Sequence, residues 1–301
     1  KGILHMFGIF SRRDVRVQAA VTQGMQLKTI RDTGGYEFGV MWEPTLRQGS
    51  VLLKGEESFT LADIAMWRDL ICTIEGVQVI ATIWSAHSNI ETHIPRMLVT
   101  FDAGGRKCDD FLTWLAKRLV YVYSPDQMEL MWWPQEAEKV KEYASSLWSP
   151  DSKPKFPPIA ELLKERHSAI QCDSAYRLAF EVLLTASMSE DIVQEFEQLV
   201  LSSELRDGEE IHFVELLRPT DPIYLEYHED AQRYRLDGVV VISSTSHDQC
   251  EDFATDLVNS LSAHARVRLT RLFGRQHIGV LLAGGLPAYG WQHNEVFVTK
   301  E

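Results

Sequence analysis

The sequence predicts an α+β protein built by tandem duplication of one unit, in the order strand, helix, strand, strand, helix, strand. Three observations carry that expectation. First, Lys107-Cys108-Asp109-Asp110-Phe111-Leu112-Thr113-Trp114-Leu115 is said again at Gln249-Cys250-Glu251-Asp252-Phe253-Ala254-Thr255-Asp256-Leu257. Cys, Asp, Phe, Thr, Leu and Leu recur without a gap at 108/250, 110/252, 111/253, 113/255, 115/257 and 119/261, an offset of 250 − 108 = 142. Second, each copy follows an apolar run, Met97 to Phe101 in one and Gly238 to Ile242 in the other, across a short polar turn. Third, Asp63-Ile64 is echoed by Asp191-Ile192 at an offset of 128.

The repeated segment reads as an amphipathic helix, because Cys108, Phe111, Leu112, Leu115 and Leu119 fall on one face of a 3.6-residue period. The second copy keeps that face with Cys250, Phe253, Ala254, Leu257 and Leu261. Asp109-Asp110 and Glu251-Asp252 then lie in the first turn, where carboxylates meet the positive end of the helix dipole.

In chain order, Tyr36 to Trp42 and Val51 to Leu53 read as strands around a turn at Pro44 and Gly49. A helix is expected over Leu61 to Ile74, capped by Ser58 or Thr60, with Leu61, Ile64, Trp67, Ile71 and Ile74 inward. Val77 to Trp84 is a strand, the polar loop 85–96 returns the chain to the strand 97–101, and the repeated helix follows. Tyr121 to Ser124 and Met128 to Trp133 are expected to supply the last strand of the unit. The second half repeats the order, with strands at Tyr176 to Thr185, Ile211 to Leu217, Gly238 to Ile242 and Val267 to Phe273, a helix from Ser189, and an extra strand at Ile278 to Leu282. Gln135 to Leu147 reads as a helix, Ser149 to Pro158 as a stiff proline-bearing linker, and Ile159 to Arg166 as a helix that resumes the fold.

That element order resembles the ferredoxin-like superfold, a βαββαβ unit with an antiparallel sheet and helices on one face, used here twice. The expected division is 1–134 for the first repeat, with 1–5 a possible expression leader, 135–158 for the helix and linker, and 159–301 for the acidic second repeat. The resemblance is architectural and carries no activity with it.

A net charge of −13 is unevenly placed. Residues 1–150 hold 18 acids and 16 bases, so the remaining 25 acids and 14 bases give the second half −11 against −2 for the first. Within 189–237 there are 14 acids and 4 bases, a field that repels phosphate backbones and attracts a basic partner. Nucleic acid is therefore not an expected ligand. Four widely spaced cysteines, Cys72, Cys108, Cys172 and Cys250, form no C-x-x-C pair, so buried free thiols in a reducing cytoplasm are expected. No run approaches the roughly 18 apolar residues of a membrane span.

Candidate chemistry is sparse. His87, Glu91 and His93 bring two imidazoles and a carboxylate into one loop, enough for a weak metal site, although the spacing matches no established ligand pattern and loop histidines are commonly solvated. Glu226, His228 and Asp230 alternate so as to share a strand face. Gly104-Gly105 between strand and helix is a turn rather than a phosphate loop, and the G-x-G-x-x-G, P-loop and G-x-S-x-G patterns do not occur. No cofactor is expected. Seven of the eight tryptophans lie in the first half, and Trp132 and Trp133, as strand neighbours, must point to opposite faces.

An acidic α+β chain without catalytic motifs resembles inhibitors and bacterial toxin-immunity proteins. The resemblance implies a non-catalytic cytoplasmic protein that masks a basic protein partner, with Glu209, Glu210, Glu226, Glu229, Asp230, Trp132 and Trp133 as the expected contact residues. The rival is an enzyme or a small-ligand or metal-binding protein whose pocket lies between the two repeats, around His87, Glu91 and His93.

Overall fold

The chain folds around one antiparallel sheet of twelve strands, seen in a computed structural model that describes residues 24–88, 94–123, 132–184, 190–219 and 234–287. The first half contributes β1 (Gln26–Arg31), β2 (Glu37–Glu43), β3 (Gln48–Lys54), α1 (Leu61–Cys72), β4 (Val77–His87), β5 (Arg96–Asp102), α2 (Cys108–Arg118), α3 (Val120–Tyr123) and β6 (Trp133–Pro134). Then come α4 (Ala137–Trp148), β7 (Leu163–Glu165), β8 (Ile170–Cys172), β9 (Ala175–Val182), α5 (Glu190–Ser202), β10 (Glu210–Pro219) and β11 (Tyr234–Ser244). The described chain closes with α6 (His247–Ser260), α7 (Ala263–Arg266), β12 (Leu269–Arg271) and α8 (Gln276–Ala283).

The expectation of two ferredoxin-like units, each with its own sheet and helices on one face, is overturned by the strand order β1-β2-β3-β5-β4-β10-β11-β9-β8-β7. β4 of the first half pairs antiparallel with β10 of the second, Ile83 opposite Val214 and Thr82 opposite Glu215. The cause is in the residues. A ferredoxin-like unit would leave β4 and β10 as edges, yet Ile80 to Ala86 and Ile211 to Leu217 are buried at consecutive positions. A strand apolar on both faces needs a neighbour on each side and cover above and below, and an exposed edge of that kind invites aggregation. Pairing the two edges with each other removes both. The element order of the halves still mirrors across this seam, β2-β3-β5-β4 against β8-β9-β11-β10.

Helices cover both faces of the sheet. On one face lie α1, α2, α5 and α6, which send Trp67, Phe111, Phe196 and Phe253 among others into a single core with Val51, Val99, Phe213 and Val240. On the other face α4 and α8 bury Val140, Leu147, Trp148 and Val280 against Met41, Leu52, Val214 and Val241. The cores thus divide by sheet face, and each runs through both halves of the chain.

Local signals explain the helix starts. Thr60 caps α1 in a reciprocal capping box with Asp63, whose pKa is lowered by those hydrogen bonds from Thr60. Ser246 accepts from the Gln249 N–H at the start of α6. Three local expectations are also corrected. Val120–Tyr123 is helical rather than extended, because it continues directly from α2, the Val122 and Tyr123 N–H groups both donating to the Leu119 carbonyl. Residues 278–282 belong to α8, where Ile278, Val280 and Leu282 alternate as a strand would, but an apolar run this short has no decisive period. Residues 163–165 form β7 instead of helix, pairing with β8, and Asp173 takes the Leu162 N–H that a helix would have used. The expected strand at 128–133 lies largely outside the described residues; of it, Trp133 pairs with Lys54 in β6.

Candidate functional site

Among the described residues, two gatherings of charged side chains bear on function. The first is at one end of the β4–β10 seam. Ser85 and His87 of β4 and Glu210 and His212 of β10 point to the same sheet face, since alternate residues of paired strands share a side. Ser85 Oγ is 2.8 Å from His212 Nδ1, His87 Nδ1 is 3.2 Å from one Glu210 oxygen, and His212 Nε2 faces the other at 3.7 Å. The two imidazole rings stand edge to face with centroids 5.3 Å apart. Burial lowers the pKa of His212 and holds the ring neutral. A carboxylate only accepts, so the proton belongs on Nε2 facing Glu210, and Ser85 Oγ–H donates to Nδ1. For Glu210, burial alone would raise the pKa, but the adjoining His212 and His87 imidazoles and the Arg177 charge outweigh it and hold the carboxyl far below the usual range.

This cluster joins the halves, and serine, imidazole and carboxylate stand in sequence within it. Chemically it is closed: Ser85 and His212 are buried. Thiol chemistry is equally remote, since burial pushes Cys72 and Cys250 up to about 12 and Cys172 to about 11, and raises Cys108 as well. Among the described residues no group of three or more His, Cys, Asp or Glu is placed to hold a metal ion. Glu91 and His93 lie outside the described residues, so the structure places only His87 of the proposed metal set.

The second place is the outer surface of α5 and α6. With Cys250, Phe253, Ala254 and Leu257 turned to the core, the helical period puts Asp248, Asp252 and Asp256 one turn apart on the solvent side, Asp248 with its side chain fully exposed. Beside this row a groove of about 250 Å³ runs between α5 and α6, with Leu199, Phe253 and Leu257 in its walls and Glu204 and Asp256 at its rim. Arg206 lies there already: its guanidinium is 3.2 Å from Asp256 and 3.9 Å from Glu209.

Of the contact residues expected from sequence, Glu209 is turned inward, where it accepts the Arg206 N–H at 2.8 Å, and Glu210 belongs to the seam cluster. Trp132 is in the core, edge to face with Phe59 and Trp67 at 5.0 and 6.3 Å. Trp133 is the exposed member of the pair, its indole N–H 3.4 Å from Glu56. Glu226, Glu229 and Asp230 lie outside the described residues. The α6 acids are visible in sequence as part of the repeat, but the likeness of the two copies points to fold and away from charge. His212 carries a signal too, a lone imidazole in the apolar strand Ile211 to Leu217. No family model matches the chain, and no curated protein matches it significantly. No helix among the described residues is long and apolar enough to cross a membrane.

Proposed function

We propose that the protein is a non-catalytic cytoplasmic binding protein, of the inhibitor or toxin-immunity kind, that masks a basic protein partner on the outer face of α6 and the groove beside it. The observation that carries this reading is the exposed row Asp248, Asp252 and Asp256, set in a half of net charge −11. Such a row steers a cationic surface and raises its association rate more than its final affinity. The groove adds a chemical match. Arginine and lysine combine an aliphatic stem with a charged head, and apolar walls under a carboxylate rim suit both parts, as Arg206 already illustrates from within the chain.

The test is capture from a lysate of the native host with the wild-type chain and with D248K/D252K as baits, at low and at physiological salt. The wild type should retain a basic protein, less of it as the Debye length falls to about 8 Å, and the variant should lose it. Melting temperatures of the two should nearly coincide, because exposed charges contribute little to stability. Equal retention by both baits would sink this placement, and loss of the partner on charge reversal at Glu226 and Asp230 would then locate it elsewhere in the acidic stretch 189–237.

The rival reading, a small-ligand or enzymatic site between the halves, draws its support from the meeting of Ser85, His87, Glu210 and His212 at the seam. A ligand whose binding is lost in His87→Ala but kept in D248K/D252K would favour it.

A further inference from the structure

Of α1, α2, α5 and α6 on one sheet face, α1 is the least clearly divided into an apolar and a polar side. In α2, α5 and α6 an apolar face is set against a polar one, whereas in Leu-Ala-Asp-Ile-Ala-Met-Trp-Arg-Asp-Leu-Ile-Cys apolar residues occur all round. Ile64, Trp67 and Ile71 enter the core, and Met66 and Leu70, one turn apart on the outer side, are 47% and 39% exposed. Large apolar side chains set side by side on the outer face of a helix are ordinarily covered. Next to Leu70 a groove of about 620 Å³ opens between the end of α1 and the α2–α3 corner, with Ile74 in its wall and Tyr121, 55% exposed, across from it. The charges around it are ordered. Asp69 and Glu75 stand on the α1 side, Lys117 and Arg118 on the α2 side, with Glu75 and Arg118 joined at 2.9 Å and Asp69 and Lys117 exposed.

We infer that this face binds a second copy of the chain about a two-fold axis. Two molecules of net charge −13 repel over most of their surface and meet at least cost where opposite charges balance, as exposed Asp69 on α1 together with Glu75, Lys117 and Arg118 of the groove do here. A strongly basic or strongly acidic partner gains no preference from such a rim. In an isologous contact every patch meets its own copy, so the face must be self-complementary. This one is: a two-fold rotation sets the acidic α1 edge of one copy against the basic α2 edge of the other, Asp69 facing Lys117 twice, around a centre of Met66, Leu70 and Tyr121. An apolar, aromatic and methionine-bearing centre inside a charged rim is the make-up of homodimer interfaces. The face belongs to the first half and does not depend on the acidic row of α6.

Sedimentation velocity of the full chain over about 1–100 µM, a range spanning ordinary dimer affinities, tests the inference. The wild type should approach twice the monomer mass, and M66E/L70E should stay monomeric with an unchanged circular-dichroism melt, since both side chains are exposed. Asp69→Lys and Lys117→Asp should each weaken the dimer at least about tenfold by placing like charges together, and the D69K/K117D swap should restore it. A wild type that remains monomeric at the highest concentration, or a dimer indifferent to M66E/L70E, overturns the inference. Failure of the swap to rescue two damaging single variants overturns the two-fold arrangement. D248K/D252K should dimerise like the wild type, which keeps this result separate from the proposed function.

Discussion

Phe111→Ala is expected to lower stability by about 3–5 kcal/mol, one of the largest effects of any single truncation in the chain. Its ring is fully buried under the sheet, 5.1 Å from Trp42 and 5.7 Å from Trp114 between centroids. Above it is Gly49 of β3, where an added Cβ would come within 2.3 Å of the phenyl edge. The ring occupies the space that a side chain at 49 would otherwise fill. Removing it leaves a cavity between two indoles and a bare strand. The converse substitution, Gly49→Ala, should cost about 1–3 kcal/mol by overpacking, and in the Phe111→Ala background the same methyl should be neutral or stabilising. Urea unfolding of the four proteins in that cycle measures the coupling. Phe253, the repeat partner of Phe111, is 9% exposed and lies in the wall of the α5–α6 groove, so truncation there should cost less, about 2–3 kcal/mol. A loss below about 1 kcal/mol at Phe111 would show that the helix face is misplaced.

What the sequence discloses follows from which interactions are local. The α2 and α6 helices are legible because their apolar residues recur at helical spacing and because the chain repeats them; Thr60 and Ser246 mark starts by cap chemistry that acts over three residues. The joining of the two halves is harder to read, since hydrogen bonds between β4 and β10 link residues more than 120 positions apart, such as His87 and Glu210. Yet the continuous burial of Ile80 to Ala86 depends on that joining, and the unbroken apolar run Val79-Ile80-Ala81 is a sign that the strand is no edge. The seam cluster is half visible. Proximity in the chain groups His87 with Glu91 and His93, whereas its partners in space, Glu210 and His212, come from the other half. Glu210 has acidic neighbours in sequence and so reads as an exposed acid, although strand alternation turns it toward two imidazoles.

The buried charges beside the seam give the second large effect. Arg68 of α1 makes an ion pair with Glu215 of β10, and its charge also acts on Glu197 of α5, so a cation from the first half is shared by two acids of the second. They meet where α1 and α5 rest on β4 and β10. Replacing Arg68 with Met should cost about 3–5 kcal/mol, because it leaves the Glu215 carboxylate buried without its counter-charge. Replacing the set together, as R68M/E215L/E197Q, should recover most of that loss, since apolar groups of similar size need no compensation. Glu197 sets how the cost varies with pH. Burial raises its pKa from the ordinary 4.5 to about 7, against the opposing influence of Arg68 and the nearby Trp84 indole. A carboxyl that holds its proton more tightly when folded favours folding below the unfolded pKa, and that stability is lost progressively as pH rises from 4.5 through about 7. The full difference across that window is up to about 3 kcal/mol, because each tenfold gain in proton affinity on folding corresponds to about 1.4 kcal/mol. Glu197→Gln, which keeps the shape and stays neutral, should therefore melt with the wild type at pH 4.5 and above it at pH 8. Glu210 does not confuse the comparison: its depressed pKa makes its own contribution fall only as pH drops below the ordinary carboxylate range. Melting curves for wild type and Glu197→Gln that stay parallel from pH 4.5 to 8 would show that folding leaves the proton affinity of Glu197 unchanged.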